Sequence, residues 1–536
     1  MKFKLNYFTI IGLLLGLNLN VFSQTIIVSS PDQLETKLRN QQILGRIDSS
    51  YSFGIRPLYR DQILPSKENT KSSFLSLLPL RFIQQFNSDY PISQNDGAMI
   101  PAKGYQVLFS PGIFWKYKKL SLQLYPEFVW TNNPLFQTFN TNDNKVKLSH
   151  ILAQNHTENL ERFGYKNYQK AFLGQSSLRL NFRTISLGLS TENLWWGPSF
   201  KNSLIMSNNA PGFLHFTINT KRPINTILGK IEFQMVMGKL EGAKIDFPDS
   251  NYFWLNNKNH KIPKPNDLRY LNAFSYSFQP KFIKGLFLGL NRSFQIYHQD
   301  LGNKISDYLP VITPFQKNNL VQEDSIKRDQ LASVWFRQIF RKSAFEIYGE
   351  YGWNDSKSNI WDLLVNFNHA RAYSFGATKL VLIRNNNNRY LRFNLEITQL
   401  DQTADRIVRN AGSWYGHYQV IHGYTHQGQV LGAQIGPGGN MQSMDISVWN
   451  KKYNYGFSID RQAHNLDFFY NVFSDYNNKW VDFNVNFYAN FRRKNWIISP
   501  KFSFVERRNF QWVAFDDRAN TFIQISFYHN KNTDRF

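Results

Sequence analysis

The chain has 536 residues, 62 Lys and Arg against 38 Asp and Glu for a net charge of +24, no cysteine, 16 % aromatic residues and a mean hydropathy of −0.44. Lack of Cys excludes disulfide frameworks, thiolate metal sites and cysteine nucleophiles, and the low hydropathy excludes a bundle of transmembrane helices. So many Phe, Tyr and Trp exclude a disordered chain; combined with polar mean composition they point to strands with one oily and one wet face.

Lys2 and Lys4 precede an apolar stretch from Leu5 to Phe22, and Val21-Phe22-Ser23 supplies modest residues before Gln24. Residues 1–23 therefore read as a secretory signal peptide, which implies export. No Cys follows the apolar run, so lipoprotein anchoring is not expected. A helix is expected after Ser30-Pro31-Asp32, with Leu34, Leu38 and Gln41 at helical spacing and Gly45 closing it. Prolines 57, 65, 79, 91 and 101 then break the chain, so residues 24–103 read as a small, partly helical periplasmic region.

From about residue 104 the hydrophobic period becomes two. Leu120, Leu122 and Leu124 alternate with Ser121 and Gln123; Ile231, Phe233, Met235 and Met237 with Glu232 and Gln234; Leu391, Phe393, Leu395 and Ile397 with Arg392, Asn394 and Glu396. Similar runs start at Phe345 and Val481. Each has the length of a tilted strand crossing a bilayer. Short polar turns join them at Lys118-Lys119, Arg341-Lys342, Asn385–Asn388, Asn450-Lys451-Lys452 and Arg492–Asn495. Longer polar insertions fall near 131–165, 247–268, 302–328 and 401–441. Short turns at one end and long loops at the other predict an all-β, antiparallel outer-membrane β-barrel over residues 104–536. Ile523, Ile525 and Phe527 make a final amphipathic strand, and the chain ends at Phe536. A terminal strand of this kind resembles the signal that the outer-membrane barrel assembly machinery reads.

Two further segments carry a resemblance. Ser190-Thr191-Glu192-Asn193-Leu194-Trp195-Trp196-Gly197-Pro198-Ser199 continues through Asn208-Asn209-Ala210-Pro211-Gly212. His422-Gly423-Tyr424-Thr425-His426 runs on to Gly436-Pro437-Gly438-Gly439-Asn440. With the stretch from Leu44-Gly45 to Arg56-Pro57, these resemble the capsule-assembly Wzi family as found in Bacteroidetes-type bacteria. The resemblance implies a barrel of about 18 strands with a small helical bundle on the periplasmic side, acting as a surface lectin for capsular polysaccharide.

The carbohydrate-binding candidates are Trp195 and Trp196 with Asn193, Asn208 and Asn209, and Trp414 with Tyr415: indoles suit sugar C–H faces and amides suit hydroxyls. The competing reading makes the tryptophan pair structural, which requires only burial, whereas binding requires exposure to the outside. His422 and His426 have metal-ligand spacing for a helix, but the surrounding Gly, Tyr, Thr and Gln argue against a helix; no metal and no cofactor is expected. Signatures such as HExxH, GxSxG or a P-loop are lacking, so no enzyme is expected. Lys and Arg are scattered, which disfavours nucleic acid. The charge has two candidate partners: anionic surface polysaccharide, or outer-membrane lipids and lipopolysaccharide facing turns and headgroups. The function expected is non-enzymatic attachment or assembly of capsule at the cell surface; the alternative is a channel for ions or small solutes.

Overall fold

The computed structural model describes residues 24–30, 33–48, 50–63, 72–245, 250–312, 327–354, 360–383, 389–404 and 411–529. The signal peptide, Pro31-Asp32, the Asn385–Asn388 turn and Phe536 lie outside the described residues. Among those described, no helix is long and apolar enough to cross a membrane.

One antiparallel sheet closes on itself. Each period-two run lies in it, and alternation decides which side chain faces where. On Tyr390–Gln399, Phe393, Leu395 and Ile397 are 38 %, 55 % and 45 % exposed, whereas Arg392, Asn394 and Glu396 are buried. A water-soluble sheet hides its oily face; this one shows it outward and turns the polar face in, as lipid requires. Twenty-three hydrogen-bonded segments form the closed sheet among the described residues. Five continue the strand before them: Leu80–Asn87 after Ser73–Leu77, Ile113–Tyr117 after Gly104–Ser110, Glu127–Thr131 after Leu120–Leu124, Ser177–Asn181 after Tyr168–Phe172, and Ile224–Asn225 after His215–Thr220. That leaves eighteen strands.

The wall starts earlier than residue 104. Leu80–Asn87 pairs with Gly104–Ser110 on one side and with the last strand, Arg518–His529, on the other, so Phe82 against Phe527 closes the barrel. Pro79 does not end this strand. It sits in a break beside those at Pro111-Gly112 and Tyr125-Pro126, where the Leu78 amide donates to the Gly112 carbonyl at 2.8 Å. Proline is tolerated there because its missing N–H falls in a bulge of the ladder.

Residues 24–63 do not form a bundle below the barrel. Their helix, Leu34–Ile43, and flanking chain have partners on strands all round the wall, which only the lumen allows. Gln24 donates to Asn181 (2.8 Å), the Ser52 amide to Glu232 (2.8 Å), Asn40 to Tyr390 (3.3 Å), and Gln33 accepts from Asn454 (2.7 Å). Glu346 binds two guanidinium groups at once, Arg337 of the wall at 2.7 Å and Arg39 of the helix at 3.0 Å, all buried. Buried charges persist where they are paired in this way.

Candidate functional site

The chain between Ser190 and Leu214 folds into the lumen, where two wall carboxylates catch its backbone. Glu396 accepts from the amides of Phe200 (2.7 Å), Lys201 and Asn202 (both 3.0 Å), and Glu350 accepts from Leu204 (3.2 Å). Trp195-Trp196 pairs as a two-residue ladder with Ile55-Arg56 of the N-terminal segment. Both indoles are fully buried; Trp196 Nε1 donates to Gln234 at 2.9 Å, and the Arg56 guanidinium lies 4.8 Å from the Trp195 ring. Gly197 follows at φ +108°, with the Glu350 carboxylate 2.6 Å from where a Cβ would sit, so only glycine fits. The pair is a strut between plug and inward loop.

The other candidates share its fate. Trp414 is buried and donates to the Ala370 carbonyl (3.1 Å); Tyr415 is buried and donates to the Leu204 carbonyl (2.8 Å) while accepting from the Ala433 amide (2.8 Å). Asn193 donates to the Ala210 carbonyl (2.8 Å) and Asn209 to the Val430 carbonyl (2.9 Å). These six are packed inside, away from any face an external polymer could reach. Asn208 differs: half-buried, it donates to the Asn95 carbonyl (2.7 Å) and lines a lumen cavity of about 470 Å³ whose walls include Asn394, Asn484, Asn486 and Gln524. His422 and His426 are not on a helix, and each ring has its own partner: His422 Nδ1 with the Tyr297 hydroxyl (2.7 Å), His426 Nδ1 with the Glu241 amide (3.1 Å). Burial, reinforced by Arg269 and Lys264 at His422 and by Arg269 and Lys170 at His426, pushes both imidazoles down to about 3.

At the long-loop end three loops are knit around a second cavity, of about 740 Å³. Helix Asn144–Asn155 begins with Asp143 capping Lys145 and Val146. Asn155 at its end donates to the His260 carbonyl (2.8 Å) and accepts from the Ile262 amide (3.0 Å). Lys264 fastens the third loop: its ammonium donates to the carbonyls of Gln154 (3.0 Å), Asn155 (2.7 Å) and Ile421. Burial pushes Lys264 down to about 7, with Glu158 opposing the shift. Lys239, Lys244 and Lys261 line the same cavity with Glu158, Glu241 and Asp267. Exposed rings stand on the loops that build it: Trp254, whose carbonyl accepts from Lys147 (3.2 Å), Tyr418 against His156 (4.4 Å between centroids) and Tyr165 under Arg162 (4.8 Å). Sequence reasoning missed this group. Its one linear trace is the spacing Lys258, Lys261, Lys264 inside the 247–268 insertion.

The long connections together are charge-balanced: where side chains are described they hold fifteen carboxylates and fourteen Lys or Arg. The net positive charge is therefore not a property of the outward-facing loops.

A closed barrel with lipid-facing strands, long loops at one end and an occupied lumen defines an outer-membrane-type barrel protein. The family model described as capsule assembly protein Wzi matches residues 108–496, and the chain belongs to that family. Wzi of Escherichia coli, described as an outer-membrane protein involved in group 1 capsule assembly and a carbohydrate-binding β-barrel, is similar in fold: TM-score 0.61 at 11 % identity, covering 94 % of this chain and 99 % of that one. OccAB4 of Acinetobacter baumannii (TM-score 0.40, 9 % identity, 87 % of this chain and 99 % of that one) and OccK7 of Pseudomonas aeruginosa (0.40, 7 %, 86 % and 99 %) are more remote. No curated protein sequence matches.

Proposed function

We propose that this protein binds surface polysaccharide at the outer membrane and helps attach or assemble capsule there, by binding rather than turnover. Family membership over residues 108–496 carries the reading, and the long-loop cavity with its lysines and exposed rings is the surface that suits it. Trp254, Tyr165 and Tyr418 offer flat faces to sugar rings, while Lys244 and Lys261 offer cations to acidic substituents. Individually weak contacts repeated along a polymer add by avidity, so no deep pocket is needed. The buried tryptophan pair serves this indirectly by holding the lumen shut. An occupied lumen favours this reading over a solute channel.

The test is the partition of surface polysaccharide between cells and medium after deletion of the chain. Polymer still made but shed into the medium is the expected result; an unchanged cell-bound fraction counts against the proposal. Planar-bilayer conductance separates the alternative, because an intact plugged barrel is expected to be almost silent.

A further inference from the structure

The short-turn end of the barrel carries a different chemistry from the long-loop end. Eight hairpin turns join strands there, centred on residues 118–119, 182–184, 221–228, 281–285, 341–344, 383–389, 450–452 and 494–495. Every one carries Lys or Arg on the turn, and none carries Asp or Glu. With Arg492 and Arg493 at the end of the strand before the last of these turns, fifteen described Lys and Arg lie on this rim (118–119, 183, 221–222, 281, 284, 341–342, 389, 451–452 and 492–494), against an excess of 24 for the whole chain.

Their height and distribution identify what they face. Tyr117, Phe182, Phe282, Phe340 and Trp496 are exposed beside these turns, at the level where an aromatic girdle meets headgroups. The ammonium of Lys118 stands 5.3 Å from the Tyr117 ring, and that of Lys119 stands 5.3 Å from the Phe182 ring, so these cations sit over lipid-facing rings rather than under the lumen. Among the described residues the charge also recurs at each of these eight hairpins rather than on one side. A docked protein touches one side of a rim; a bilayer leaflet touches all of it.

We propose that this rim binds the phosphate headgroups of anionic phospholipid, of the phosphatidylglycerol type, in the leaflet at the short-turn end. This does not rest on the polysaccharide reading. Cations near an anionic leaflet gain about fivefold in association each, and the gain is screened by salt. The ring would hold the barrel at a fixed depth and orientation, leaving the loop end free for its own ligand.

The test uses the full mature chain in nanodiscs of phosphatidylcholine containing a trace of spin-labelled phosphatidylglycerol or spin-labelled phosphatidylcholine. The motionally restricted fraction gives the relative association of the two lipids. We expect phosphatidylglycerol to be preferred several-fold at low salt, with the preference collapsing toward one in high salt. Six substitutions, K118Q, K119Q, K281Q, K284Q, K451Q and K452Q, are expected to remove at least half of that preference. Should the sixfold variant fail to fold, the K281Q/K284Q pair alone, at exposed positions, is expected to give a smaller loss in the same direction. A ratio near one in the folded parent overturns the proposal. So does a preference untouched by these substitutions but lost with K258Q/K261Q, which would move the lipid site to the loop end. Capture of soluble polyglutamate by the rim without lipid preference would assign it to a periplasmic polyanion instead.

Discussion

At the long-loop end, cations and carboxylates are interleaved almost one for one, and carbonyls and amides lock three loops together; at the short-turn end, two- to eight-residue turns carry Lys and Arg with no Asp or Glu among them. The contrast follows from loop length. Long loops can fold onto one another, so charges such as Lys264 engage neighbouring backbone groups. Two- to eight-residue turns have little chain to fold over their own charges, and Lys118 and Lys119 lie against the exposed Tyr117 and Phe182 rings. Net charge read from composition averages the two and belongs mostly to the second.

Four experiments test this contrast. Glu346→Ala leaves Arg337 and Arg39 buried without their shared carboxylate; a loss of about 3–5 kcal/mol is expected. It should be read as a lower unfolding midpoint in detergent together with new conductance as the plug loosens. An unchanged midpoint would mean that the helix is not held by charge. Lys264→Ala removes three donor bonds at the loop end, with about 2 kcal/mol expected for a charged donor. The effect should stay local: faster proteolysis within 241–268 and 411–439, weaker binding of polysaccharide, and an unaltered short-turn end.

Acid should loosen the same loops. His422 and His426 titrate near 3 in the folded protein and near 6.5 when unfolded. Between those values the opened loops take up protons that the packed loops refuse, so loop stability is fully present above pH 6.5 and falls as pH drops toward 3. Hydrogen exchange over 411–439 should accelerate across that window, and H422Q should flatten the dependence. The smallest effect is expected from K281Q/K284Q: these exposed turn positions should move the detergent midpoint by no more than about 0.5 kcal/mol, because the bonds they make to Leu228 and Gln338 use backbone groups that the substitutions keep.

The strands with an unbroken period of two were legible in the sequence; Leu80–Asn87 was not. A period of two is a local property, and Phe393, Leu395 and Ile397 on one face with Arg392, Asn394 and Glu396 on the other mark an amphipathic strand; the short turns, long loops and many aromatics pointed to a membrane barrel over a packed sandwich. The turn lysines were equally visible, pair by pair. Their sharing one end was expected too, from the alternation of short turns with long loops.

What the tertiary structure alone decided is long-range pairing. That Leu80–Asn87 is a wall strand depends on Arg518–His529 arriving beside it at the far end of the chain; its own neighbourhood, broken by prolines, reads as irregular. That Trp195 and Trp196 are a strut depends on Ile55-Arg56 meeting them inside the lumen. An indole has the same chemistry for a sugar ring as for a packed core, so residue type leaves its use open. Burial makes the choice, and burial is set by segments distant in sequence. Local alternation and turn composition carried the class of fold and the basic turns; closure, the plugged lumen and the loop-end cluster around Lys264 came only from the assembled barrel.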